Sequence, residues 1–232
     1  MDIFLLRHFE SVKNTQVTFS SIDDKEELTE NGVIQGKSIS NNLRQILELK
    51  GLTAKNIYCA KSVRAQRSAD LIASTLSGNV QVQAFNELLS TKSKDILGKT
   101  KKQVMKNNPE FIRQLSLYDA GIFSSYDFHR EVGKDLKIEY EKKVCECIEK
   151  IVKNDVKENV KIICLHNSSI TAAVINIARK LCKYPKDYYG KVIADNGKFF
   201  WIHEENNEKK FIVANCESEI LLEMIRGEMY VT

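Results

Sequence analysis

The chain begins with a four-residue apolar run, Ile3-Phe4-Leu5-Leu6, that stops abruptly at Arg7-His8. A short continuous apolar run without polar alternation is the pattern of a strand buried on both faces. Such strands belong to sheets covered by helices, and the carboxyl ends of their strands are where an α/β fold presents its chemistry. An arginine and a histidine at that point are costly to place unless they bind something. These first residues therefore favour a helix-covered sheet with a charged site at one edge.

The rest of the chain repeats the alternation. Strand-like runs follow at Asn56–Ala60, 80–84, Val160–Leu165, 191–194, 199–203 and 211–214. Helical periodicity lies between them. Leu28-Thr29-Glu30-Asn31 offers a capping signal before a helix with Ile39, Leu43, Ile46 and Leu47 on one face. Ala65, Ala69, Ile72 and Leu76 mark a second helix, and Ile170, Ala173, Val174, Ile177, Ala178 and Leu181 a third. Strands alternating with helices predict an α/β fold, a three-layer α/β/α sandwich on a mostly parallel, mixed sheet. Asp195-Asn196-Gly197-Lys198 reads as a hairpin turn, with the next turn near Asn206-Asn207.

One domain spanning 1–232 is expected. Within it, 88–134 has no strong strand, a mainly polar helical pattern and an aromatic cluster (Tyr118, Phe123, Tyr126, Phe128). It reads either as a helical cap inserted over the active site or as a helical excursion that only closes the core.

Composition narrows the partners. Charged residues make up 28% and the net charge is +4, too mild to imply nucleic acid. The lysines of 92–106 read as a solvated helix face, without the aromatic platform that single strands stack on. No segment is apolar enough to span a bilayer, and four apolar residues behind Asp2 are too few for a secretory signal. The six cysteines (Cys59, Cys145, Cys147, Cys164, Cys182, Cys216) read as free thiols, so a cytoplasmic location is expected. Cys145 and Cys147 are two apart on a helical pattern and point different ways, which argues against a metal pair. Cys147 instead joins Tyr140, Val144, Ile148 and Ile151 on the core face.

Three later residues give the first two their meaning. Arg64 follows the second strand-like run, Glu87 the third and His166 the fourth. In a parallel sheet these ends share one edge, so two arginines, two histidines and one carboxylate would converge. That set suits phosphoryl transfer. Guanidiniums match phosphate oxygens, a neutral imidazole can attack phosphorus, and a carboxylic acid can protonate the leaving alkoxide. Neighbouring arginines disfavour imidazolium and keep the nucleophile unprotonated. Taken singly, Arg7 could pair with Glu10 or Asp23, Arg64 with a carboxylate, Glu87 could be a surface residue, and His166 a core histidine. His129 and His203 lack supporting context and are assigned to the surface.

At these residues the chain resembles the histidine phosphatase superfamily, also called phosphoglycerate mutase-like. The stretches that carry the resemblance are Leu6-Arg7-His8-Phe9-Glu10-Ser11-Val12-Lys13-Asn14 and Leu28-Thr29-Glu30-Asn31-Gly32-Val33-Ile34-Gln35-Gly36. Tyr58 to Ala69 resembles the second arginine motif, Phe85-Asn86-Glu87 the motif of the acid, and Cys164-Leu165-His166-Asn167 the second histidine motif. The resemblance implies a phosphohistidine formed at His8 and a phosphoryl group held by Arg7, Asn14, Arg64 and His166. It implies Glu87 as proton donor and neither metal nor cofactor.

Four positions depart from the family pattern. Phe9 and Asn167 replace glycines, and Ala60-Lys61 replaces Ser-Pro. Phe9 is expected to narrow or redirect the pocket. Asn167 is the milder change, because asparagine tolerates a left-handed backbone, and both count as candidate substrate contacts. The Glu-Arg and Arg-Arg signatures of the mutase branch are missing, so a phosphomonoesterase acting on a small phosphorylated metabolite is expected. A phosphoglycerate-type mutase and a non-catalytic phospho-ligand or protein-binding module are the alternatives. The expected partner is a small phosphorylated substrate, without nucleic acid or membrane, and a homodimer is compatible with the sequence.

Overall fold

A computed structural model of the chain describes residues 1–15, 26–90, 101–107, 109, 113, 125–154, 158–182, 192, 194–206 and 208–227. For 101, 104, 105, 125–138 and 180–182 only the backbone is described.

Six strands form one sheet: β1 (Asp2–Arg7), β2 (Asn56–Ala60), β3 (Gln81–Phe85), β4 (Val160–Leu165), β5 (Phe199–Glu205) and β6 (Glu208–Cys216). Their spatial order is β3-β2-β4-β1-β5-β6. The first four are parallel, β5 runs antiparallel to β1, and β6 returns along β5. β1 and β4 are buried almost throughout, as their unbroken apolar runs require. β3, at the edge, is half exposed.

The described helices are α1 (Val12–Thr15), α2 (Glu30–Lys50), α3 (Val63–Thr75), α4 (Lys101–Asn107), α5 (Ser125–Lys153), α6 (Asn167–Cys182) and α7 (Ser218–Arg226). α2 packs against α3 and α7, and α5 packs against α6. Thr29 caps α2 by accepting from the Gly32 N–H, as its position before the periodic run predicts. Ile39, Leu43, Ile46 and Leu47 form the buried face of α2. On α5, Val144, Cys147, Ile148 and Ile151 are buried and Tyr140 packs against the same core. No helix among the described residues is long and apolar enough to cross a membrane.

Lys161, the second residue of β4, is a fully buried charge in this apolar sheet. Its ammonium donates to Glu158 Oε2 at 2.6 Å and to the Asn154 carbonyl at 2.9 Å. The other oxygen of Glu158 accepts from the backbone N–H groups of Lys55 and Asn56. The pair thus ties the start of β4 to the start of β2, at the sheet edge opposite the site. Breaking one partner of such a buried pair costs about 3–5 kcal/mol, because a bare charge remains inside.

One expectation changes, and another falls largely outside the described residues. In 191–194 the described residues, Val192 and Ala194, lie in no strand, and Lys191 and Ile193 fall outside the described residues. The turn at Asn196-Gly197 therefore closes no hairpin. The hairpin joins β5 to β6 instead, and Asn206 beside its turn has φ of 52°. The proposed cap is seen only as α4 and the first part of α5. Tyr118 and Phe123 lie outside the described residues, as do the side chains of Tyr126, Phe128 and His129.

Candidate active site

Strand register brings the two histidines together. Leu6 pairs with Cys164 and Arg7 with Leu165, so His8 and His166 emerge side by side from adjacent parallel strands. The His8 N–H donates to the Leu165 carbonyl at 3.0 Å. The two imidazoles meet edge to face, with centroids 5.1 Å apart, and each residue is 3% exposed. Arg64 joins from the end of β2, the neighbour of β4, at the first turn of α3.

Hydrogen-bond partners assign the tautomers. His8 Nδ1 lies 2.7 Å from the Phe9 carbonyl, which can only accept, so Nδ1 carries the proton. His8 Nε2 is left with a lone pair, which accepts from Arg64 Nε at 3.3 Å. Burial, followed by the charges of Arg64 and Arg7, pushes the His8 pKa from 6.5 down to about 3. The imidazole is therefore neutral near pH 7. At His166, Nδ1 faces a terminal nitrogen of Arg64 at 3.5 Å, a group that only donates. The proton then sits on Nε2 and points to Ser62 Oγ at 3.1 Å.

Among the described residues, backbone and carboxylate groups hold the cations. A terminal nitrogen of Arg7 donates to the Ala194 carbonyl at 2.6 Å, and Arg7 Nε is buried with no hydrogen-bond partner among the described residues. Glu10, one of the two carboxylates within sequence reach of Arg7, is occupied elsewhere, accepting from Thr29 Oγ1 at 2.7 Å. The other, Asp23, lies outside the described residues. Arg64 does have a carboxylate partner: its NH1 meets Glu26 at 3.2 Å, with both side chains largely buried. Lys13 feels the charges of both. α3 begins beside Arg64, capped by Ser62, and α6 begins right after His166, so two helix N-termini face this edge of the sheet. Such ends favour anions.

Glu87 sits half-buried on a short 3-10 turn, Asn86–Leu88, directly after β3. It shares the edge with the other four, but three strand spacings, roughly 14 Å of backbone, separate β3 from β1. Asn14 is close to the histidine segment: its Oδ1 accepts from Ser11 N–H and Oγ–H and from Asn196 Nδ2. Asn167 opens α6 without a positive φ, and its Oδ1 accepts from the Ala194 N–H. His203 is not a bare surface histidine, since its Nδ1 lies 3.0 Å from Asp2.

Phe9 departs from expectation. Its ring is 0% exposed and turns into the core, against Gly36 of α2 and Leu71 of α3, so it does not narrow the pocket. A phenyl ring gains more by burial than by lining a polar site, and Gly36 supplies the room. Only the backbone of Phe9 serves the site. Its carbonyl takes His8 Nδ1–H, and its N–H donates to Ser68 Oγ at 3.0 Å.

The 28–36 stretch now has a physical reading. Thr29 caps α2, Gln35 Oε1 accepts from the Glu10 N–H, and Gly36 admits Phe9. Gly32 permits close approach, because a Cβ there would meet the Glu10 carbonyl at 1.9 Å. Sequence reasoning passed over Ser62, Ser68, Lys13, Glu26 and Asn196. Of these only Ser62 carried a usable signal, as a serine placed to cap the helix that starts at Arg64.

The family described as Histidine phosphatase superfamily (branch 1) matches residues 3–217. The chain belongs to this superfamily. Solved structures of similar fold include the α-ribazole phosphatase of Shigella flexneri (17% identity, TM-score 0.66, 93% of this chain and 96% of that one). A mycobacterial glucosyl-3-phosphoglycerate phosphatase is also similar (15% identity, TM-score 0.70, 93% and 99% covered). So is the phosphoglycerate mutase of Bacillus anthracis (15% identity, TM-score 0.69, 97% and 96% covered). No curated protein sequence matches the chain. Membership in the histidine phosphatase superfamily places this protein with enzymes of the phosphoric monoester hydrolase type.

Proposed function

We propose that the protein hydrolyses small phosphate monoesters through a phosphohistidine at His8, without a metal ion. The observation that carries this reading is the state of His8. Its Nδ1 proton is fixed on the Phe9 carbonyl, while its Nε2 lone pair is turned to Arg64. An imidazole kept neutral by burial and by two nearby guanidiniums is both a nucleophile and a neighbour of the charges that would bind its target.

In the first step a phosphoryl oxygen takes the Arg64 donor that Nε2 now accepts. The Nε2 lone pair attacks phosphorus, the ester P–O bond breaks, and Glu87 gives its proton to the leaving oxygen. In the second step the Glu87 carboxylate takes a proton from water as that oxygen attacks phosphorus. The N–P bond breaks, its electron pair returns to Nε2, and inorganic phosphate leaves. Arg7, Arg64, His166 and the amide nitrogen of Asn14 would hold the phosphoryl oxygens. The edge order of the strands supports the division of labour, with the phosphoryl group at His8 and the leaving group directed toward Glu87.

Turnover of p-nitrophenyl phosphate with chelator present tests the reading. Activity should persist with chelator and vanish in His8→Ala. Glu87→Gln should lose about 100-fold or more on alkyl phosphates; with p-nitrophenyl phosphate, whose leaving group needs no proton, it should keep the first burst of p-nitrophenol while steady turnover slows at the second step. Isomerisation of a phosphoglycerate with little phosphate release would assign the protein to the mutase type instead. A phosphate-release screen over sugar phosphates, glycerate phosphates, nucleotides and phospho-amino acids would then name the substrate.

A further inference from the structure

We propose that Asn196 is a positioning residue for His8, so that a turn near the far end of the chain sets how the histidine is presented. This inference rests on the reading of His8 as the nucleophile.

The turn grips three successive residues of the histidine segment. The Gly197 N–H donates to the Arg7 carbonyl at 3.1 Å. Asn196 Nδ2 donates to the His8 carbonyl at 2.7 Å and lies 3.4 Å from the Phe9 carbonyl, the group that holds His8 Nδ1–H. The same nitrogen reaches Asn14 Oδ1 at 3.3 Å and stands 3.4 Å from His8 Nδ1. A carboxamide nitrogen at this point orients the peptide that fixes the tautomer of His8.

The turn is itself held on several sides. Gln35 Nε2 donates to the Asn196 carbonyl, while its Oε1 accepts from the Glu10 N–H, so one side chain joins both segments. Asn215, at φ of 52°, accepts from the Asp195 N–H and donates to the Asp195 carboxylate. Gly197 has φ of 76°, and a Cβ there would meet Ile39 Cδ1 at 2.4 Å, so the backbone at this position is closely determined. A brace this well fixed can position another residue, because a positioning group must not itself wander.

Charge gives the proposal a discriminating variant. Asn196→Asp keeps the size and turn preference of asparagine, but it removes both N–H donors. It also puts a carboxylate about 3.4 Å from His8 Nδ1, which favours the imidazolium. Proteins carrying Asn196→Asp, Asn196→Ala and His8→Ala would be compared with wild type. Nitrogen-15 NMR of histidine-labelled free protein would read tautomer and titration, and kinetics with p-nitrophenyl phosphate would read kcat, KM and pH profile.

In Asn196→Asp the His8 titration should rise by at least one pH unit, and the acid limb of the rate profile should rise with it. Asn196→Ala should lower kcat by about 100-fold with KM little changed, as displacement of a reacting group does. Unchanged His8 titration and tautomer in Asn196→Asp, with wild-type kcat in Asn196→Ala, overturns the proposal. Full activity in His8→Ala overturns the nucleophile reading instead, and the NMR arm on free protein keeps the two failures apart.

Discussion

The ring of Phe9 fills the notch left by Gly36. A Cβ on residue 36 would stand 2.6 Å from Phe9 Cδ2 and 2.8 Å from Cε2, with Leu71 Cδ1 also at 2.8 Å. Large at 9 and small at 36 are thus one packing solution between the histidine segment and α2. Gly36→Ala is expected to destabilise the protein by about 1–3 kcal/mol through overpacking. Phe9→Ala is expected to cost about 3–5 kcal/mol through the cavity it leaves. The double variant should cost less than the sum, since the added methyl enters the vacated space. Denaturant melts of the four proteins check this. The KM of Phe9→Leu should stay within about twofold of wild type, because the ring does not line the site.

Acid should destabilise the protein through His8. Its folded pKa, about 3, lies below the ordinary 6.5. Between those values the unfolded chain binds a proton that the folded site refuses, so stability falls as pH drops through this window and is unaffected by His8 above it. The slope approaches about 1.4 kcal/mol per pH unit from this group. Melts from about pH 7 to about pH 4 should show a shallower decline in His8→Gln than in wild type.

Glu26 shields Arg64 in the free protein. The ion pair at 3.2 Å is largely buried, and an incoming phosphoryl group must share or replace that carboxylate. Glu26→Gln should destabilise the free protein and make inorganic phosphate a tighter inhibitor, by about tenfold. Inhibition constants and melts with and without phosphate test both halves. Equal phosphate affinity in the two proteins would mean that Glu26 and phosphate do not compete.

The fold was legible where burial decides structure. β1 and β4 read as unbroken apolar runs because both faces are covered, and α2 announced itself through Thr29 and its spaced leucines and isoleucines. The 191–194 run misled because alternation of size and hydrophobicity says nothing about hydrogen-bond partners. Its Ala194 gives its N–H to Asn167 and its carbonyl to Arg7, not to a neighbouring strand.

Within the site, the reading that strand ends would gather Arg7, His8, Arg64, Glu87 and His166 rested on topology; parallel register sets His8 beside His166 and Arg64 touches both, while Glu87 stays three strands from β1. Phe9 could not be read, since whether a ring faces a pocket or a core depends on a glycine 27 positions away. Asn196 was equally hidden. Asn-Gly is a turn signal in any context, and nothing local reveals that the amide reaches the residues that follow the first strand.

The proposed chemistry stands on a covalent bond between His8 Nε2 and phosphorus. Rapid quench of the protein mixed with a phosphate monoester, followed by peptide mass spectrometry under alkaline conditions that preserve phosphohistidine, tests it most directly. The expected result is a single phosphorylated peptide modified at His8, formed and lost at rates compatible with turnover and missing in His8→Ala. Steady turnover with no phosphorylated His8 at any time, or phosphate found on another residue, would contradict it.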